Sequence, residues 1–275
     1  MAYYFAESGY TELTVAIPAN ILEIDRINHL ARKIQLTLIT DNPHTITFLA
    51  NHLQYPIKLA LEADLGYRRT GIWYEDLDKA LTLAHQITQS SNLTFGGLLT
   101  HSGNTYTGRA KADILTIHNQ ALGRLKTMKT HLLQNGINSC PLSIGDTPAC
   151  SVADDFSDVN EVRPGNFIFY DLMQAQIGSC TSDQIAIAVA CPIIALYPER
   201  QTAVLYGGGV HFAKDHILND QNQPIYGQLT TIEDGTFTGA IPSATLTSLS
   251  QEHGTLTITD PTLFTQLHLG ALLPI

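Results

Sequence analysis

Residues 57–72 read IKLALEADLGYRRTGI. The first half, Ile57 to Asp64, is apolar on both alternating faces, as a strand covered from two sides must be. The second half turns polar at once, placing Asp64, Tyr67, Arg68, Arg69 and Thr70 around two glycines. An apolar run that delivers polar side chains at its carboxyl end reads as a parallel strand of an α/β sheet, where ligands bind beyond the strand ends.

The pattern recurs in both directions. Leu13 to Pro18 (LTVAIP), Leu36 to Asp41 (LTLITD), Leu93 to His101 (LTFGGLLTH), Cys140 to Thr147 (CPLSIGDT) and Glu161 to Asp171 (EVRPGNFIFYD) bring such runs to six. Residues 20–33, 75–88 and 111–135 lie between them, with apolar side chains recurring at three and four, the period of helices packed on a sheet. From about residue 171 the texture changes. The runs at 184–198, 201–212, 229–239 and 253–259 are β-rich, with turns at Asn219, Asn222 and Gly235 and no long helical period. The expected organisation is an α/β domain over residues 1–170 and a mostly antiparallel β domain over 171–275. Six βα strands leave two architectures open, a (β/α)8 barrel short of two units or an open six-stranded sheet.

Composition narrows the function classes. The 275 residues are 44% hydrophobic and carry a formal net charge of -10, so the chain is globular and has no basic face to gather phosphate backbones; nucleic acid is an unfavourable partner. No run approaches the roughly 20 apolar residues of a membrane span, and MAYYFAESGYTE lacks the basic start and apolar stretch of a signal peptide, so a cytoplasmic protein is expected. Cys140, Cys150, Cys180 and Cys191 show no CxxC spacing and read as reduced core residues.

Four polar clusters fall where apolar runs end: Asp64 to Thr70, His101 to Tyr106, Ser143 to Thr147 and Arg163 to Tyr170. On parallel strands they converge on one site. In SIGDTPACS (143–151) and RPGN (163–166) glycine stands beside small polar residues, so that backbone N–H groups and a hydroxyl can approach an anion such as phosphate.

These motifs carry a resemblance. LEADLGYRRTGI, GGLLTHSGNTY, SIGDTPACS, EVRPGNFIFYD, YGGGVHFAKD and LSQEHG resemble, in order and approximate spacing, the D-threonine aldolase and D-serine dehydratase family of alanine racemase-like, fold-type III pyridoxal-phosphate enzymes. The resemblance covers almost the whole chain and favours the eight-stranded barrel, lacking about its first two βα units, followed by the β domain. It implies pyridoxal 5'-phosphate as cofactor. Arg69 would face the ring nitrogen, its other reading being a surface cation or an ion pair with Asp64. Tyr106 would lie near cofactor or substrate, and His101 would be a base or ring-stacking partner. Ser143, Gly145 and Thr147, with Gly165, Asn166 and Tyr170, would form the phosphate cup, Asp146 pointing away from it. His211 and His253 fall in β-domain motifs.

The resemblance also sets two requirements. The internal aldimine needs a lysine at the end of the first strand. Of the seven lysines, Lys33 and Lys58 stand at or before strand starts, Lys79, Lys111, Lys126 and Lys129 in helical periods, and Lys214 in the β domain. No catalytic lysine is therefore assigned, and the chain is expected to be truncated at its front by about 60 residues, at ~30 residues per βα unit. It is also expected to stop short of a histidine-containing segment after GALLPI that would supply ligands for zinc or manganese, so no metal ligand is assigned. An intact relative would cleave D-hydroxy-amino acids to glycine and aldehyde, the favoured expectation, or dehydrate them. It would do so as a homodimer with a small D-amino acid as substrate. The alternative is a non-catalytic pyridoxal-phosphate-binding remnant or one piece of a split enzyme.

Overall fold

A computed structural model describes residues 1–213 and 215–275, without the side chains of 236 and 238. The chain divides into two compact units, Met1–Gly165 and Asn166–Ile275.

The first unit runs α1 (Ala2–Glu7), β1 (Glu12–Pro18), α2 (Ile24–Ala31), β2 (Gln35–Thr40), α3 (Pro43–His52), β3 (Ile57–Asp64), β4 (Ile72–Trp73), α4 (Leu77–Thr88), β5 (Leu93–Thr100), α5 (Lys111–Gln134), β6 (Leu142–Ile144), α6 (Thr147–Val152) and β7 (Glu161–Val162). Its sheet has the order β1-β2-β3-β5-β6-β7, with the short β4 added to β3, and every pairing is parallel. It is a parallel half-barrel of βα units.

Strand period fixes which side chains face where. Leu36, Leu38, Leu59, Leu61, Ala63, Leu98, Leu142 and Ile144 pack outward against helix residues such as Leu49, Leu83, Ile87, Leu125 and Met128 in one large core. The alternate residues Ile39, Ala60 and Leu99, with Ala16, form a separate small cluster on the opposite, concave face. Two helices extend beyond the sequence reading. In α3, Asn42 caps the start by accepting from His44 N and Pro43 opens the first turn, features of a helix entry that the β-branched and polar residues after it had hidden. In α6, Asp146 plays the same capping part.

Glu161 to Asp171 was expected to be one strand. Only Glu161–Val162 is paired, because Pro164 has no N–H for the ladder. Where β3 pairs with β5 the register shifts between Leu59 and Leu61. The bulge is on β5 at Gly96 and Gly97, and Gly97 has a φ of +93° against the Pro141 carbonyl, a backbone state and a clearance that suit glycine alone.

The second unit contains α7 (Leu172–Ile177), β8 (Ala190–Tyr197), β9 (Thr202–Tyr206), β10 (Ile217–Leu218), β11 (Pro224–Ile225), β12 (Gly227–Glu233), β13 (Thr236–Leu249), β14 (His253–Ile258) and β15 (Leu272–Pro274). β10 and β11 pair alone, and the rest form an antiparallel sheet in the order β12-β13-β14-β9-β8-β15. It winds into a nearly closed barrel around Cys191, Ile193, Leu205, Leu246, Leu256 and Ile258. No helix among the described residues is long and apolar enough to cross a membrane.

Candidate active site

Above the small apolar cluster on the concave face, the same strands end in polar residues. Glu62 lies two residues past Ala60 on β3 and pairs in register with Leu99 of β5, so it faces inward. It is 3% exposed, its Oε1 accepts the Thr70 hydroxyl at 2.8 Å, and its Oε2 is buried without a partner among the described residues. Burial pushes its carboxyl above the usual range, with Asp41 adding to the rise and the Thr70 hydroxyl, Arg69 and Arg163 opposing it.

Arg163, just past β7, ties three strand ends together. Its Nε donates to Ser143 Oγ at 2.7 Å, and its Nη2 to the carbonyls of Thr100 at 2.7 Å and Ser143 at 3.3 Å. Glu161 Oε2 stands 3.5 Å from Nε and accepts the Ser143 hydroxyl as well. Gly145 has no room for a side chain: a Cβ would lie 2.7 Å from Arg163 Nη1 and 2.8 Å from the Arg163 carbonyl.

His101 is half-buried at the end of β5. Its Nδ1 lies 2.8 Å from the Gly145 carbonyl; a carbonyl only accepts, so the proton sits on Nδ1 and Nε2 is left as an acceptor. Burial, with Arg69 and Arg163 nearby, holds its pKa below the usual value, so the ring is neutral at pH 7. Tyr67 meets it edge-on at 5.5 Å and Tyr106 lies tilted at 6.4 Å.

Arg69 is exposed, its guanidinium 5.4 Å from the centre of the Tyr67 ring. No ion pair joins it to Asp64 among the described residues. Asp64 Oδ1 accepts instead from the N–H groups of Gly66 and Arg68, at 2.9 and 3.0 Å, folding its own loop. Asp146 is 3% exposed and turns to α6, where its Oδ1 accepts from Ala149 N at 2.7 Å and from the Thr105 hydroxyl at 2.8 Å. Burial pushes its carboxyl up to about 6 against those bonds. Thr147, buried, is the first residue of that helix.

The structure thus gathers Arg69, His101, Tyr106, Ser143, Gly145, Thr147 and Gly165 on or beside the strand ends of the first unit. Asn166 and Tyr170 belong to the second unit, where Asn166 Nδ2 donates to Asp171 and Tyr170 N to the Asn166 carbonyl at 2.7 Å. His211 is edge-on to Tyr206 at 5.1 Å, and His253 is Tyr206's register partner. Glu62 and Arg163 had no role assigned from sequence. A lone acid inside the apolar run IKLALEAD was the available signal for Glu62, because charged residues are almost never fully buried without a purpose-built partner.

Lys33 precedes β2, Lys58 is the second residue of β3, Lys79 lies in α4, and Lys111, Lys126 and Lys129 lie in α5. None stands at a carboxyl strand end; Lys214 lies outside the described residues. Among the described residues no three His, Cys, Asp or Glu side chains are grouped to hold a metal.

Residues 6–172 match the family of the alanine racemase N-terminal domain, and residues 186–275 a putative serine dehydratase domain. The chain is 24% identical over 264 residues to the D-threo-3-hydroxyaspartate dehydratase of Delftia sp. (strain HT23), covering 94% of this chain and 68% of that one. It is 27% identical over 212 residues to the D-serine dehydratase of Dictyostelium discoideum, covering 74% of this chain and 51% of that one. The chain thus spans about half the length of the Dictyostelium relative. The solved Delftia enzyme superposes with a TM-score of 0.88 at 23% identity, covering all of this chain and 73% of that one. D-threonine aldolase from Filomicrobium marinum follows at 0.81 and 18%, covering 99% and 70%.

Proposed function

This chain belongs to the alanine racemase N-terminal domain family, joined to a D-serine dehydratase-like domain, and from that premise we propose that it binds pyridoxal 5'-phosphate and serves retro-aldol cleavage or dehydration of a D-3-hydroxy-amino acid. The more similar relatives within that family are dehydratases and an aldolase, which are lyases. The observation that carries the reading is the concave polar layer itself: a neutral imidazole with Nε2 left as an acceptor at the end of β5, a largely buried arginine just past β7, and on β3 a buried carboxyl with one oxygen unpartnered among the described residues.

The residues present suit the cofactor's ring and anion. Gly145 leaves backbone close to the site, Arg69 and Arg163 supply positive charge, and His101 offers a flat ring with an acceptor nitrogen. They do not suit covalent attachment, since no described lysine reaches a carboxyl strand end. Pyridoxal phosphate, when bound, supplies an electron sink for bonds at the substrate's α-carbon. In this reading Arg163 orients anionic groups, the apolar floor of Ala16, Ile39, Ala60 and Leu99 excludes water, and His101 Nε2 would take a proton from a bound hydroxyl. The described residues offer no group that suits a divalent metal, and no step is assigned to one.

The second reading, a chain that holds the cofactor without turning over substrate by itself, is favoured by the lysine positions. Titration with pyridoxal phosphate followed by borohydride reduction and peptide mapping tests the cofactor site, and release of aldehyde or ammonia from a D-3-hydroxy-amino acid by the loaded chain separates the two. Saturable binding that Arg163→Ala weakens, with no reduced adduct, is the expected result. A stable adduct on any one lysine, Lys214 included, overturns non-covalent binding, and absence of saturable binding overturns the cofactor assignment.

A further inference from the structure

On the helical side of the first unit, away from the strand ends, an open cleft of about 400 Å³ lies between one stripe of α5 and the loop that follows α6. Three features of it are unusual together. His118 lines it and is 4% exposed, yet its ring makes no hydrogen bond among the described residues; its one ring contact is Phe156, edge-on at 6.2 Å. Burial holds its pKa below the usual value, so the ring is neutral at pH 7. Neither ring nitrogen is among the buried atoms that lack a partner, so the ring is reached by solvent, and a donor that takes the solvent's place can bond it.

Gly123 also lines it, in the interior of a 24-residue helix. A Cβ there would meet nothing within 4 Å, so neither packing nor backbone conformation calls for glycine, and its cost of about 1 kcal/mol against alanine goes uncompensated within the chain. What the missing side chain does is deepen the cleft. The rim is acidic. Asp154, Asp155 and Asp158 line one wall; Lys111 pairs with Asp154 at 3.7 Å and Lys126 with Asp158, while no lysine or arginine among the described residues pairs with Asp155. Three aspartates against two lysines leave this rim one net negative charge, although Asp155 accepts from Ser157 N at 2.8 Å and feels Lys126; His118 lines the same cleft, in a chain of net charge -10.

We propose that this cleft binds a small primary amine with a short apolar body, its ammonium taken by the acidic rim and an N–H donated to His118. Leu115 and Leu122 offer the apolar wall. No three His, Cys, Asp or Glu side chains among the described residues are grouped to coordinate a metal ion, so the recognised class is an organic cation. The site is independent of the strand-end reading.

The test uses the full chain at low ionic strength, with 1,4-diaminobutane as probe and 1,4-butanediol, of equal length and no charge, as control. Binding is followed by the His118 ring proton in NMR. The expected result is a saturable shift with the diamine, absent with the diol and weakened about tenfold, which is about 1.4 kcal/mol, by Gly123→Leu. Asp155→Asn, which leaves the cleft's shape intact, weakens it in the same direction and serves where the leucine variant does not fold. No shift, an equal response to the diol, or unchanged affinity in the variants overturns the proposal.

Discussion

The hydroxyl of Thr14 on β1 donates to Glu161 Oε1 on β7 at 3.5 Å, although these are the first and last strands of the sheet order. Six parallel strands therefore curl far enough to bring the side chains of their two terminal strands together across the concave face. Glu161 is the shared group, since it also takes the Ser143 hydroxyl and faces Arg163. Glu161→Ala should lower stability by about 1–2 kcal/mol, the scale of hydrogen bonds to a charged group reduced for its exposure, whereas Thr14→Val should cost less than about 0.5 kcal/mol. Urea unfolding of the two variants checks the ratio; equal costs would place the weight of the contact elsewhere.

Glu62 should behave as a liability of the unliganded chain. Its folded pKa is raised, so the folded state holds the extra proton and the contribution is lost as pH rises through that value. Glu62→Gln keeps the bond to Thr70 and removes the buried charge. It should stabilise the protein by about 1 kcal/mol at pH 7, a gain that fades below the ordinary glutamate value. Thermal unfolding from pH 4 to 8 shows it; a gain that grows toward low pH would mean that the carboxylate is paired.

The concave floor and the strand ends were legible because they rest on local rules. IKLALEAD had to be a buried strand, and the polar residues after it had to sit beyond its carboxyl end. What sequence could not show is which polar group turns inward. Arg69 and Arg163 both follow strands, yet Arg69 is left over Tyr67 while Arg163 is drawn into carbonyls of two neighbouring strands. That choice depends on register between residues 63 positions apart. The reading of Glu161 to Asp171 as one strand failed for the converse reason: its apolar FIFY segment outweighed Pro164, whose missing N–H decided the matter.

Asp146 gives a sharper titration. Its folded value of about 6 lies above its ordinary 3.8, so stability falls as pH rises through that window. Asp146→Asn retains a good helix cap and should flatten this slope. The gain at pH 7 should be about 2–3 kcal/mol, because the unfolded carboxyl gives up its proton more easily by the whole interval from 3.8 to about 6, at about 1.36 kcal/mol for each tenfold difference in acidity. Measuring unfolding free energy at pH 4, 6 and 7 checks it. A variant less stable at pH 7 would show that the bonds from Ala149 and Thr105 need the full charge.

Two glycines should respond in opposite senses to the same substitution. At Gly97 an alanine would have to hold a φ of +93° and place its Cβ against the Pro141 carbonyl, whose oxygen also accepts the Leu98 N–H at 2.9 Å. Strain and overlap together put the cost at about 3 kcal/mol or more, and they fall on the bulge that aims Leu99 and His101 at the concave face. At Gly123 the same change fills open space in a helix interior and should add about 1 kcal/mol. Circular-dichroism melting of both variants tests the pair. If Gly97→Ala melts like the parent chain, β5 carries no such bulge, and the inward placement of His101 loses its structural cause.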